Sequence, residues 1–188
     1  DVGKDINKEE IALMNDYMEE LWNRGIVVVA AAGNKGPKPM SISVIADHGH
    51  CICVGCHDER YVGADGKCCK DYSGRGPGKY FENYTFASNP LKKPDIVAPG
   101  TDIVSCNNNF IKRGKRYYKA HVSKSGTSMA TPIVSGICTL GMQKYPKITN
   151  KDILVTLQLT ARDLGERWCE QGAGMVMVNS FLEKIMKI

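Results

Sequence analysis

With 188 residues, 43% of them hydrophobic and 24% charged, the chain has the material for one folded domain and none of the bias of a disordered or fibrous protein. A formal net charge of +5 is too small to argue for nucleic acid, and the longest apolar run, Ile26 to Ala32, falls far short of the ~20 residues that cross a bilayer. No signal-peptide pattern opens the chain, which starts at Asp1, so a processed chain, an excised domain or a fragment is expected.

Asn7-Lys-Glu-Glu10 has the spacing of a capping box, and Ile11, Met14, Tyr17, Met18, Leu21 and Trp22 then recur at helical intervals. Arg24-Gly25 should end that helix, because glycine readily adopts the left-handed stop. Ile26 to Ala32 predicts a strand buried on both faces, with the loop Gly33 to Met40 at its carboxyl end, where α/β folds place ligands. Cys51 to Gly55 predicts the next strand and Lys67 to Ser73 another, followed by a glycine-rich turn at Gly74 to Gly78. Lys79 to Asn89 has no clear period and is assigned no element.

Asp95 to Ala98 predicts a short strand closed by Pro99-Gly100. Thr101 to Ser123 reads as a surface hairpin, with two strand-like ends around Asn107-Asn-Asn109 and a basic stretch from Lys112 to Lys119. A small-residue apolar helix should begin near Ser128, carry Pro132 in its first turn and end before Pro146. Thr149-Asn-Lys-Asp152 opens a helix to about Thr160, Gly172-Ala-Gly174 is a turn, and Asn179 to Ile188 is a terminal helix. A helix feeding a doubly buried strand implies an α/β fold with a mostly parallel sheet and flanking helices. No repeat or linker divides the chain, so residues 1–188 form one unit.

The stretch Lys124 to Gly136 is the one around which chemistry would be organised. Gly126 allows a tight approach, and Ser128 falls at a helix N-terminus, where free N–H groups and the helix dipole favour negative charge. A serine there is either a helix cap or a nucleophile whose tetrahedral oxyanion uses those donors. Asn34 follows Gly33 at the end of the buried strand, where the residue itself reads as a turn asparagine.

Gly126-Thr-Ser-Met-Ala-Thr-Pro132 resembles the nucleophile segment of the subtilisin-like serine proteases. Val27-Val-Val-Ala-Ala-Ala-Gly-Asn34 is similar to the oxyanion-asparagine segment of that family, Lys93-Pro-Asp-Ile-Val-Ala-Pro-Gly100 to its strand-turn marker, and Tyr72-Ser-Gly-Arg-Gly-Pro77 to a family loop. The resemblance implies a subtilisin-like doubly wound fold, here incomplete, and a serine endopeptidase acting on peptide or protein through an acyl-enzyme. It implies Ser128 as nucleophile, with its own N–H and the Asn34 amide as oxyanion donors. It also implies Ala31, Ala32 and Gly33 as the backbone wall for the residue before the cleaved bond, and Met129 on the leaving-group side.

In this family the triad runs Asp, His, Ser along the chain. Neither the Asp-Ser/Thr-Gly nor the His-Gly-Thr segment occurs in these 188 residues. The chain therefore corresponds to roughly the carboxyl-terminal two thirds of one catalytic domain, and the missing amino-terminal segment is expected as its partner. His48-Gly-His50 lies after Asn34 and lacks the threonine, and neither it, His57 nor His121 is expected to serve as base. By itself the chain should be inactive. A non-catalytic subtilase relative, used for interaction, carries the same motifs and is the rival reading.

Ser43-Val-Ile-Ala46 stands where many family members carry an aromatic-Pro pair, which bears on the specificity pocket and the adjoining cation loop. Asp95 matches a carboxylate that can serve a weak cation site in relatives and reads equally as a simple turn residue, so a structural calcium or other cation is one reading and none is required. Cys53-Val-Gly-Cys56-His57 has the haem-attachment pattern, but it falls on a strand the family buries. A zinc module through the Cys51 to Cys69 region is a second alternative, although its spacings match no regular module. Lys112, Arg113, Lys115, Arg116 and Lys119 with Tyr117 and Tyr118 read as a solvated hairpin rather than a nucleic-acid patch, and neither nucleic acid nor membrane is expected as a partner. Eight cysteines, several at buried strand positions, are expected as free thiols in a reducing or anaerobic setting.

Overall fold

A computed structural model describes residues 7–58, 69–78 and 92–186. Helix α1 (Lys8–Asn23) starts with the expected capping box: the Asn7 side chain accepts from the Glu10 N–H (2.8 Å) and the Glu10 carboxylate from the Asn7 N–H (3.0 Å). Gly25, at φ 77°, turns the chain out of the helix.

Strands β1 (Val29–Ala31), β2 (Ile52–His57) and β3 (Ile96–Pro99) pair in that order as a parallel sheet, Val29 opposite Ile52 and Val54 opposite Ile96. The first strand is shorter than the apolar run Ile26 to Ala32, because Ile26 is exposed and its N–H still bonds back to Leu21 in the helix end. Every residue of β2 is buried, as a strand covered on both faces must be. Its odd and even positions serve two cores. Ile52 and Val54 meet Ala130, Val134, Ile137 and Cys138 of helix α2 (Thr127–Lys144), while Cys51 and Cys53 pack with Ala30, Ala32, Ile42 and Met18 of α1. Full burial of each aliphatic side chain contributes ~1.5–3 kcal/mol, so these two layers hold the sheet between helices.

Helices α3 (Asn150–Thr160) and α5 (Val178–Ile185) complete the α2 side. Thr149 and Asp152 form the second capping box. A Cβ on Gly141 of α2 would stand 2.9 Å from the Phe181 ring, so this glycine lets α5 lie close. The short α4 (Trp168–Gln171), which composition did not suggest, buries Glu170 against the Arg75 and Arg167 guanidiniums and so ties the glycine-rich turn to the carboxyl-terminal region.

Three expectations change. Pro132 is the sixth residue of α2, beyond the first turn, and leaves the Ser128 carbonyl without its helical donor; burial of Ala130, Val134 and Ile137 keeps the helix in place. In the described part of Lys67 to Ser73 there is one bridge, Cys69 to His57, and then a turn. The hairpin is two ladders, β4 (Ile103–Cys106) with β7 (His121–Lys124) and β5 (Ile111–Arg113) with β6 (Arg116–Tyr118), and it reverses at Gly114, φ 59°. Asn107 forms the joint between the ladders, donating to the Lys119 carbonyl and accepting from the Asn109 N–H. Lys79 to Asn89 lies outside the described residues.

The two sheet edges differ. Beyond β3, Val97 bonds Gly174 and Val176, so this edge is covered. At β1, Val28 and Ala32 bond β2, which turns the backbone groups of Val29 and Ala31 to the opposite side, where no strand pairs among the described residues.

Lys93 and Asp95 form a buried ion pair (2.6 Å), with Lys93 also donating to the Cys51 carbonyl and Asp95 accepting from the Cys53 N–H and Gln158. Removing one partner leaves a buried charge uncompensated, so Lys93→Met should lower stability by ~3–5 kcal/mol. Urea unfolding measures this, and adding Asp95→Leu to Lys93→Met should recover part of the loss.

Candidate active site

The carboxyl end of β1 and the start of α2 meet through one threonine. The Thr127 N–H donates to Asn34 Oδ1 (3.0 Å), and its hydroxyl donates to the same oxygen (3.1 Å) while accepting from the Gly33 N–H (3.1 Å). Gly126, the N-cap of α2, donates its N–H to the Gly100 carbonyl at the end of β3 (2.8 Å). A Cβ on Gly100 would meet the Gly126 carbonyl at 2.7 Å, and one on Gly126 would meet Asn34 Nδ2 at 3.2 Å. Glycine at both positions is therefore what lets strand end, helix start and asparagine converge.

Ser128 is the second residue of α2 and is exposed. Its hydroxyl and its N–H make no hydrogen bond among the described residues. It is not a cap, because the N-cap is Gly126 and no side chain caps the helix. Asn34 is exposed too, and since both donors of Thr127 occupy Oδ1, its amide Nδ2 is directed away from them with no protein partner among the described residues. The structure thus brings together Ser128, Asn34 and two unspent donors at a helix N-terminus, where the dipole favours an anion. Thr127 was missed in the sequence, where it reads only as a small residue beside Ser128. Its spacing from Asn34, 93 residues, hides the contact.

Behind the site, Ala32 is fully buried and its carbonyl accepts from Ser43, while the Gly33 carbonyl accepts from Gly74. The free backbone groups of this wall are therefore those of Ala31, at the open edge. Met129 is half-buried, next in the helix. The turn from Tyr72 to Gly76 staples the loop that follows Asn34: Gly36 donates to the Tyr72 carbonyl and Ser41 to that of Arg75.

No imidazole reaches Ser128. His121 is exposed on β7, His50 stacks on Trp22 with His48 edge-on to it, and His57 is buried at the end of β2. Asp95 lies in the Lys93 pair, so the cation beside it is one of the chain's own. Among the described residues no group of three or more metal-ligating side chains forms, and Cys68 lies outside them. Cys53 and Cys56, three apart on a strand, face opposite sides: Cys53 lies in the α1 layer and Cys56 beside Tyr72 and Gly100. All seven described cysteines are free, and burial pushes the Cys51 thiol up to about 11.

This geometry accords with the comparisons. The model of the subtilase family matches residues 3–176. The chain belongs to the subtilase family. It is 36% identical over 142 residues to serine protease AprX of Bacillus subtilis (strain 168), covering 72% of this chain and 30% of that protein. It is 33% identical over 154 residues to subtilisin Savinase of Lederbergia lenta, covering 82% of this chain and 45% of that protein. The self-cleaved protease domain of PatA superposes with a TM-score of 0.64 at 22% identity, over 97% of this chain and 57% of that one, which shows the shared α/β fold. The chain spans less than half the length of these two curated relatives. Membership makes it part of a family of serine proteases, whose substrates are peptides or proteins.

His57 is 1% exposed and neither ring nitrogen has a partner among the described residues, so burial holds its pKa below the usual 6.5; burial lowers that of His48 as well. The unfolded chain then binds more protons than the folded one below pH 6.5, and stability falls as pH drops through that window, by up to ~1.4 kcal/mol per pH unit for each such group. Urea unfolding between pH 7.5 and 5 should show this slope, and His57→Phe should reduce it.

Proposed function

We propose that this chain is the carboxyl-terminal part of a subtilase catalytic domain that cleaves peptide bonds through an acyl-enzyme on Ser128. The observation that carries the reading is the pair of unspent donors, the Ser128 N–H and Asn34 Nδ2, beside a serine hydroxyl with no structural task. Ser128 Oγ attacks the peptide carbonyl, and the carbonyl π electrons move to oxygen as the C–O bond forms. The two donors stabilise that oxyanion, and Met129 and Ala31 to Gly33 line the substrate on either side. The hydroxyl proton passes to a histidine supported by an aspartate, both from a segment outside this chain, and then to the leaving amine as the C–N bond breaks. Water, deprotonated by the same histidine, releases the acid and restores the hydroxyl. No metal enters this scheme. A cation near Asp95 would have a structural role only.

The same segment has a second task. The open edge of β1 offers the outward backbone groups of Val29 and Ala31 to another strand, so the complementing segment would both extend the sheet and bring the base. Alone, the chain is expected to be inactive and to associate through that edge.

A fluorophosphonate probe tests this directly. Labelling is expected only when the upstream segment is restored, and Ser128→Ala should abolish it. No labelling in the restored protein would overturn the reading in favour of a non-catalytic relative. In the restored protein, Asn34→Ala should lower kcat by roughly 10²–10³-fold, the usual loss for a single oxyanion donor. Thr127→Val keeps shape and N–H but frees one anchor of the amide, and should lower kcat roughly tenfold with KM little changed, whereas Thr127→Ser should restore it.

A further inference from the structure

Residues 102–125 form an arm whose two ends are the ends of the candidate site. It leaves after Gly100 and returns at Gly126, and its root is closed by the Asp102 N–H on Ser125 Oγ (2.9 Å). Beyond that root, the described structure packs almost nothing against it. All of β5 and β6 is exposed, as are three of the four residues in each of β4 and β7. Val104 is 66% exposed and Tyr117 56%, with Phe110, Ile111 and Tyr118 also open to solvent. Two-stranded ladders are marginal in water, and a merely solvated hairpin has no use for five large apolar side chains.

The charge on this arm is one-sided. Lys112, Arg113, Lys115, Arg116 and Lys119 fall within eight residues, and no aspartate or glutamate occurs between Asp102 and Asp152. In the β5–β6 register Arg113 stands directly opposite Arg116, and like charges in that position destabilise a ladder. Because cross-strand partners share a face, Ile111, Arg113, Arg116 and Tyr118 line one side of the hairpin, with the Arg113 guanidinium 5.9 Å from the Tyr118 ring. Lys112 and Tyr117 occupy the other side, 5.6 Å apart, with Phe110 against Tyr117. Two guanidiniums held side by side among apolar groups match carboxylates by bidentate pairing and relieve their own repulsion when they do so. The outer edges of β5 and β6 pair with no strand among the described residues, so an extended chain can add main-chain hydrogen bonds there.

We propose that this arm is a docking surface for an acidic, extended segment of the polypeptide on which the domain acts, held by Arg113 and Arg116 and seated on Ile111 and Tyr118. This rests on the reading of the chain as part of a protein-cleaving domain. Charge complementarity sets the chemistry of the occupant. The covalent continuity of the arm with Gly126 and Ser128 sets its place, since a polypeptide at the nucleophile lies beside the arm's root.

The test is fluorescence anisotropy of the full 188-residue chain with a fluorescein-labelled 15-residue peptide of glutamates interspersed with leucine and tyrosine. The glutamate peptide should bind roughly tenfold or more tightly than the same peptide with glutamine throughout, and the preference should shrink as salt is raised. Arg113→Glu with Arg116→Glu should remove the preference, and Tyr118→Ala should weaken binding several-fold, with circular dichroism unchanged because all three side chains are exposed. Ser128→Ala should bind as well as the parent, so docking is read independently of acyl-enzyme chemistry. Equal affinity for the glutamate and glutamine peptides would overturn the proposal without altering the protein. So would undiminished binding by the double Arg variant, tighter binding of a 15-nucleotide single strand than of the acidic peptide, or arm-dependent dimerisation in sedimentation.

Discussion

The contact on which the rest depends is the one between Thr127 and the Gly33-Asn34 corner. It joins the end of the first strand to the start of the longest helix through three hydrogen bonds around a single hydroxyl and amide oxygen. The approach is possible because Gly100 and Gly126 have no side chains; a Cβ on either would press on the neighbouring backbone or on Asn34 itself. Behind this corner, the parallel sheet is buried in two layers, and the turn from Tyr72 to Gly76 fixes the loop that leaves Asn34. The site is therefore a junction of three elements already immobilised for packing reasons. Little of it depends on loop order.

Where local rules act, the sequence is explicit. The capping box at Asn7, the helix opening at Thr149 and the glycine stop at Gly25 follow from residue type and period, whereas the strand buried along its whole length is Ile52–His57 and not the longer apolar run Ile26 to Ala32. It is opaque where tertiary contacts decide. Pro132 is expected in the first turn of a helix starting near Ser128; the helix does start there, at Thr127, but the proline is its sixth residue and is tolerated because the buried face is held on the sheet. Thr101 to Ser123 reads as one hairpin, whereas Asn107 bridges to Lys119 between two ladders and the reversal falls at Gly114. Ser128 stands out in the sequence at a helix start, as cap or nucleophile, and resemblance decides between the two and supplies Asn34 as its partner. What no pattern could reveal is which atoms of Asn34 and Thr127 are engaged, since that depends on a contact 93 residues long.

The polar groups buried in the molecule divide by the same logic. Lys93 and Asp95 sit at the start of β3 beneath Cys51 and Cys53, each charge supplied with further partners. Glu170 is enclosed by two guanidiniums where α4 meets the glycine-rich turn. Such pairs seldom add net stability over an apolar filling, but each forbids a slipped arrangement in which one charge would be stranded. Both lie at places where irregular backbone is pressed against the sheet and where apolar packing alone would leave register weakly specified. His57 is the contrary case, buried and without a partner among the described residues, and its cost grows with acidity.

Consider finally what the Thr127 contact does to the Asn34 amide. A surface asparagine normally loses little by rotating half a turn, exchanging its oxygen and nitrogen. Here the oxygen accepts from both the N–H and the hydroxyl of Thr127, so the rotated amide would forfeit the hydrogen bond from the backbone N–H and set its NH₂ against that N–H. At ~1 kcal/mol for the bond lost, before any donor–donor repulsion, the rotated form is disfavoured roughly fivefold. The hydroxyl could rotate to accept from a flipped amide while still accepting from the Gly33 N–H, since it has two lone pairs. The backbone N–H of Thr127 has no such freedom at all. A fold that needed Asn34 only to turn the chain would gain nothing from this arrangement, because positive or extended backbone at a corner places no demand on which amide atom faces the solvent. Holding the nitrogen outward, next to the unspent N–H of Ser128, has a consequence only for something that binds there as an acceptor.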